Sequence, residues 1–149
     1  MIRIDFTQLE QINAQAEGAY PGESCGLLAG RVEPDGSVTV TRVVASPNVA
    51  DPPGDDRFEV APQVRFDLMR ELDDTGPDST GEAIVGHYHS HPDHPAKPSK
   101  TDLAMAFEPE LVWLITAVVS GTAGRTRAWR LDRETGVIQD VAMEIGETA

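Results

Sequence analysis

The sequence predicts one α/β (α+β) domain over residues 1–149, built on a mixed, mostly antiparallel sheet of about six or seven strands flanked by about three helices. Three observations carry this. A chain of 149 residues matches the usual size of one domain. Short stretches in which apolar and polar residues alternate recur along it, the period of a half-buried strand, and a few stretches with helical spacing lie between them. Several connections between the strand-like stretches are too short for a parallel crossover, so those neighbours pair antiparallel.

Ile2, Ile4 and Phe6 alternate with polar residues and open a first strand; Thr7 is then expected to cap a helix carrying Leu9, Ile12 and Ala16. Pro21-Gly22 ends that helix. Residues 25–32 turn apolar, and Glu33-Pro34-Asp35-Gly36 is turn chemistry before Ser37-Val38-Thr39-Val40-Thr41, so the two runs form a hairpin. From 46 to 57 the Pro, Asn, Asp and Gly content breaks any element and leaves a surface loop. Helical spacing returns from Pro62 through Val64, Phe66, Leu68, Met69 and Leu72, and stops in an acidic turn at Asp73-Asp74. Ala83 to His89 reads as a buried strand running out into histidines. Ser99 to Phe107 fits a third, short helix, Val112 to Val119 a central strand, and residues 125–131 and 137–145 one further strand each.

Hydrophobic residues make up 40% of the chain, and with its 13 glycines the apolar share is that of a folded domain. The longest apolar run, Leu111 to Val119, is far shorter than the roughly 20 residues that cross a bilayer. The N-terminus lacks the basic-then-apolar pattern of a signal peptide, so a cytoplasmic location is expected. Acids outnumber bases 25 to 12, a formal net charge of −13. Such a field repels nucleic acid and anionic membrane surfaces, which sets aside a general binder of either, and it also suits a cell of high internal salt. The single Cys25 permits no internal disulfide and no Cys-rich zinc ribbon, so any metal site must draw on His and carboxylates.

All four histidines, His87, His89, His91 and His94, fall within eight consecutive residues. On a strand, His89 and His91 project to one side about 6.6 Å apart along the backbone, near enough to converge on one ion. Downstream, Ser99-Lys100-Thr101-Asp102 opens the third helix and sets Asp102 in its first turn, where it can return toward the strand end. Two His and one carboxylate leave a fourth tetrahedral position open, the composition of a catalytic zinc site. His-x-His pairs also occur on strands without metal, and Ser-x-x-Asp caps helices whether or not an ion is near. His87 shares the parity of the pair and reads as a third ligand or as a partly buried neighbour. His94, between Asp93 and Pro95, reads as a loop residue. Cys25 offers a thiol-hydrolase reading with the nearby histidines, or packs as a small hydrophobe in its Gly-Leu-Leu strand.

His89-Ser90-His91, seven residues, Ser99, two residues and Asp102 match the His-x-His-x7-Ser-x2-Asp signature of the JAMM (MPN-plus) zinc metallopeptidases, which the chain therefore resembles. Pro21-Gly22-Glu23-Ser24-Cys25-Gly26-Leu27-Leu28-Ala29-Gly30 resembles the segment bearing the upstream glutamate in small prokaryotic members, and the order of elements agrees over nearly the whole chain. The resemblance implies the MPN/JAMM, cytidine-deaminase-like fold and one Zn2+ per chain, held by His89, His91 and Asp102. It implies Glu23 as the general base and Ser99 as hydrogen-bond donor to the oxyanion. It further implies hydrolysis at the C-terminal tail or an isopeptide bond of a ubiquitin-like protein. The short loops match the small prokaryotic branch, whose partners are ubiquitin-like sulfur-carrier proteins ending in Gly-Gly. Release of cysteine from a carrier adduct and trimming of residues after Gly-Gly both remain open. A non-catalytic MPN scaffold shares the fold but typically lacks the intact ligand set, and a DNA-repair-associated relative is disfavoured by the net charge and Glu23.

Overall fold

In the computed structural model, which describes residues 1–51, 57–72, 81–100, 102, 111–132 and 134–146, the alternating stretches form eight strands. These are β1 (Ile2–Asp5), β2 (Cys25–Val32), β3 (Val38–Ser46), β4 (Ala83–Pro92), β5 (Val112–Val119), β6 (Thr122–Leu131), β7 (Ile138–Val141) and β8 (Met143–Gly146). Helix α1 (Phe6–Ala19) follows β1, and α2 (Pro62–Leu72) precedes β4. All eight strands join one mixed sheet in the order β7-β6-β5-β4-β2-β3-β1-β8. Four neighbouring pairs are antiparallel; β1/β3, β1/β8 and β4/β5 are parallel. The third helix expected over 99–107 lies largely outside the described residues, of which Lys100 and Asp102 are helical. No helix among the described residues is long and apolar enough to cross a membrane.

Asp5 rather than Thr7 caps α1. Its Oδ1 accepts the Gln8 N–H at 2.7 Å while Gln8 Oε1 accepts the Asp5 N–H at 3.1 Å, a reciprocal box that starts the helix at Phe6. Ile12 and Ala16, one turn apart, are the buried residues of α1. The stretch expected as one strand over 137–145 divides at Ala142. Its first half pairs with β6 and its second with β1, and the Ile2 N–H donates to the Ala142 carbonyl at 2.8 Å. The two ends of the strand order are thus joined through one residue, and the sheet curls until they meet. A period of two reports which face a residue covers, not which neighbour its edge meets, so this closure leaves no local signature.

The two faces of the sheet are unlike. On the α1 face, Ile4, Ile12, Leu28, Val40, Tyr88, Val112 and Leu114 belong to one buried cluster. On the α2 face, Leu68 with Val64 and Leu72 at one-turn spacing covers Leu27, Ala29 and Ile84, and Trp113, Ile115 and Trp129 form a second cluster beside Ala96. A β-bulge decides which residues of β4 reach this face. Leu28 pairs with Gly86 but Ala29 with Ile84, leaving Val85 as the extra residue. Val85 joins Tyr88 on the α1 face, and the alternation restarts with His87, His89 and His91 on the other. Gly26 admits Tyr88 behind them: a Cβ there would collide with the Tyr88 ring and the Val44 carbonyl.

Candidate metal centre

The end of β4 brings two imidazoles together. His89 Nε2 lies 3.2 Å from His91 Nε2, and both rings are buried. Asp102 completes the group, its Oδ2 lying 2.9 Å from His91 Nε2 and 3.3 Å from His89 Nε2. Reciprocal bonds hold the carboxylate: Ser99 N–H donates to Asp102 Oδ2 at 2.8 Å, and Asp102 N–H donates to Ser99 Oγ at 3.0 Å. The capping pair read from the sequence therefore exists, and it aims Asp102 at the histidines. Ser99 Oγ accepts in this arrangement, so its own O–H is free to donate outward.

The donor set fits a small tetrahedral cation. His91 Nδ1 lies 2.8 Å from the Pro95 carbonyl, which only accepts; Nδ1 therefore carries a proton, and Nε2 is the atom turned toward His89 and Asp102. Two ring nitrogens and a carboxylate oxygen, atoms that ligate a metal once the rings are deprotonated at Nε2, stand 2.9–3.3 Å apart in a buried place. At zinc–nitrogen bonds of about 2.0–2.1 Å a tetrahedron has edges of roughly 3.3 Å, so the spacing is that of a site already shaped for such an ion. Among the described residues, His89 Nδ1 is buried without a hydrogen-bond partner, and the polar neighbours of this ring lie on its Nε2 side.

Electrostatics point the same way. Burial pushes the His89 pKa below its ordinary value, and contact with Asp102 opposes this. For His91 burial also pulls downward, but bonds to Asp102 and the Pro95 carbonyl, with the Asp102 charge, leave the pKa raised. Burial alone would raise Asp102, yet the two imidazoles and the Ser99 N–H hold its carboxyl well below the usual carboxylate range. Asp102 is thus a carboxylate, ready to accept a proton's bond or a cation.

Glu23 enters from the segment ahead of β2. It is buried, and a carboxylate oxygen lies within 4.8 Å of ring nitrogens of both His89 and His91. Its backbone is fastened by the neighbouring pair: Ser24 N–H donates to Ser90 Oγ at 2.8 Å, and Ser90 N–H donates to the Ser24 carbonyl at 3.1 Å. The middle residue of His-x-His thereby holds the segment ahead of β2 that carries Glu23.

The remaining sequence candidates fall outside the cluster. His87 lies between Phe58 and Trp113, tilted against both rings at centroid distances of 5.6 and 5.5 Å, and burial, with the charges of His89 and Arg65, lowers its pKa to about 3. It is a neutral ring among aromatic neighbours. His94 is exposed on the turn after β4. Cys25 faces His89 across the strands, but burial, with the Glu23 charge, pushes its thiol up to about 12. A thiol held so far from ionisation is no nucleophile, so the thiol-hydrolase reading loses its chemistry. Two neighbours escape a reading of the sequence. Phe58 lies stacked on His89 at 4.1 Å with 15° between the rings, and Asn48 bonds the Glu23 carbonyl at 3.2 Å. Both belong to polar loop sequence whose only signal is one aromatic among charges.

Fold and cluster together define an α/β domain in which two histidines, an aspartate and a glutamate gather at the end of β4. The chain belongs to the prokaryotic homologs of the JAB domain, whose family model matches residues 7–132. It is 36% identical over 104 residues to the desampylase of Haloferax volcanii, a match spanning 67% of this chain and 66% of that protein, just under two-thirds of its length. It is 30% identical over 131 residues to the CysO-cysteine peptidase of Mycobacterium tuberculosis, covering 88% of this chain and 82% of the relative. Among solved structures, a protein from Desulfitobacterium hafniense superposes with a TM-score of 0.81 at 28% identity, covering 99% of this chain and 94% of the other.

Proposed function

We propose that this protein is a zinc-dependent peptidase acting at the C-terminal tail of a ubiquitin-like sulfur-carrier protein, releasing cysteine or trimming residues after Gly-Gly. The observation that carries the reading is the convergence of His89, His91 and Asp102 with Glu23 alongside, in a family whose relatives are named a desampylase and a CysO-cysteine peptidase. His89, His91 and Asp102 would hold the ion, and the chemistry it would supply when bound is Lewis acidity toward the scissile carbonyl and toward water. Glu23 takes the proton from the attacking water and passes it to the leaving nitrogen or sulfur, a transfer worth typically 10²–10⁴ in rate. Ser99 directs its free O–H at the carbonyl oxygen as negative charge develops, and loss of one such donor costs about 10²–10³. Burial of the cluster keeps competing water away and strengthens each of these interactions.

Native mass spectrometry tests the reading in one experiment, with the protein incubated with a ubiquitin-like sulfur carrier bearing a C-terminal cysteine or a short extension. The expected result is one zinc per chain and loss of the carrier's extra mass. Glu23→Gln keeps the zinc and abolishes the loss, because it removes the base and spares the ligands. Zinc without cleavage would turn the reading toward a binding module, and a chain that takes up no zinc would overturn it.

A further inference from the structure

Asn48 is saturated with hydrogen bonds although it is exposed. Its Nδ2 donates to the Glu23 carbonyl at 3.2 Å and to the Arg57 carbonyl at 2.9 Å. Its Oδ1 accepts the Ala50 N–H at 3.1 Å and the Glu59 N–H at 3.0 Å. Two donors and two acceptors are all that an amide side chain has, and a flipped amide would set its oxygen against two carbonyl oxygens. One side chain therefore ties three stretches: the backbone of Glu23, the start of the loop after β3, and residues 57–60. The last stretch meets Asn48 again through an isolated bridge with Val60, and it carries Phe58, stacked on His89.

These bonds lie beyond the end of β3 and ahead of α2, outside the ladders that build the sheet. What they have in common is the cluster: one end is the backbone of Glu23, the other the stretch whose ring covers His89. We propose that Asn48 is a positioning residue that places Glu23 and the His89 ring relative to one another, so that base and ligand are set by the same amide. The inference rests on reading Glu23 as the base and His89 as a zinc ligand. Its physical force is that a misplacement of about 1 Å in a reacting group can cost about 10² in rate.

Two substitutions divide the amide's roles. Asn48→Asp keeps an acceptor for Ala50 and Glu59 but replaces both donors by a carboxylate oxygen that repels the Glu23 and Arg57 carbonyls, untying both; Asn48→Ala removes everything. Both are compared with the parent and Glu23→Gln for kcat and KM on a sulfur carrier with one C-terminal cysteine, zinc per chain, and hydrogen exchange at the Ala50 and Glu59 amides. For Asn48→Asp the expected result is full zinc, exchange at both amides as slow as in the parent, kcat down about ten- to hundredfold, and KM within about threefold. For Asn48→Ala the same loss of kcat comes with faster exchange at both amides. Unchanged kcat in Asn48→Asp, with Glu23→Gln inert, would overturn the inference alone. Loss of zinc or early unfolding in Asn48→Asp would also overturn it, because Asn48 would then be holding up the fold. A parent without turnover, or Glu23→Gln as active as the parent, would overturn the reading of the base and this inference with it.

Discussion

Ser90→Ala is the sharpest test of how the site is held, because it deletes one oxygen and leaves every proposed zinc ligand in place. Ser90 is fully buried, and its Oγ accepts the Ser24 N–H at 2.8 Å. Alanine leaves that backbone donor buried with nothing to accept it. Such an orphaned buried group costs about 1–3 kcal/mol. In a domain of about 150 residues each kcal/mol lowers Tm by about 2–4 °C, so a central cost of roughly 2 kcal/mol predicts a fall of about 4–8 °C. Differential scanning calorimetry of zinc-free parent and variant reads this directly. Turnover on the carrier should fall as well, because Ser24 adjoins Glu23. Zinc content should not fall, because His89 and His91 are still held by the β4/β5 ladder and by Pro95. An unchanged Tm would show that the Ser24 N–H finds another acceptor and would refute the argument; a lost zinc would show that the pair supports the ligands rather than the base.

Three further outcomes follow from the same site. Asp102→Ala and His89→Ala should both lose tight zinc binding along with activity, and extended dialysis of the parent against a chelator should abolish turnover until zinc returns. Retention of stoichiometric zinc by Asp102→Ala, measured by metal analysis, would reduce Asp102 to a helix cap. For Cys25 the sign is set by a raised pKa: an acid held to about 12 stays protonated at every pH below that, so almost no thiolate exists at pH 8. Iodoacetamide at pH 8 should leave the folded protein unmodified and active, whereas urea-unfolded protein should label at its one cysteine; rapid labelling of the native state with loss of turnover would revive the thiol.

The strands of the site were legible because their cues are local. The turn at Glu33-Pro34-Asp35-Gly36 joins β2 to β3 as an antiparallel pair, and Val64, Leu68 and Leu72 give α2 its buried stripe. His89 and His91 follow from strand parity, and Asp102 from its first-turn position; Glu23 came through the resemblance, since one acid among many ahead of an apolar strand has no periodic signature. Three features were not legible, for one shared reason. The bulge at Val85, the division at Ala142 and the bonds of Asn48 each depend on a partner far along the chain, and alternation records only which way a residue faces. Phe6 shows a milder case: its alternation continued β1, but the Asp5–Gln8 box began a helix one residue earlier than that pattern allows. Capping geometry outweighed strand period where the two competed.

The unlike faces of the sheet explain how a buried polar cluster stays in place. Directly behind the site, Tyr88 O–H donates to Gln15 Oε1 at 2.5 Å, and Gln15 Nε2 donates to the Cys25 carbonyl at 2.9 Å. Tyr88 precedes His89, and Cys25 follows Glu23 by two residues. One glutamine on α1 thus bridges β4 beside His89 and the start of β2 beside Glu23, from the face opposite to the polar cluster. The apolar cluster on that face holds α1 against the sheet, so burial on one face steadies the polar groups on the other. The bulge at Val85 makes this division possible, because without the extra residue His87, His89 and His91 would turn toward α1, where Ile12 and Leu114 pack and nothing could bind.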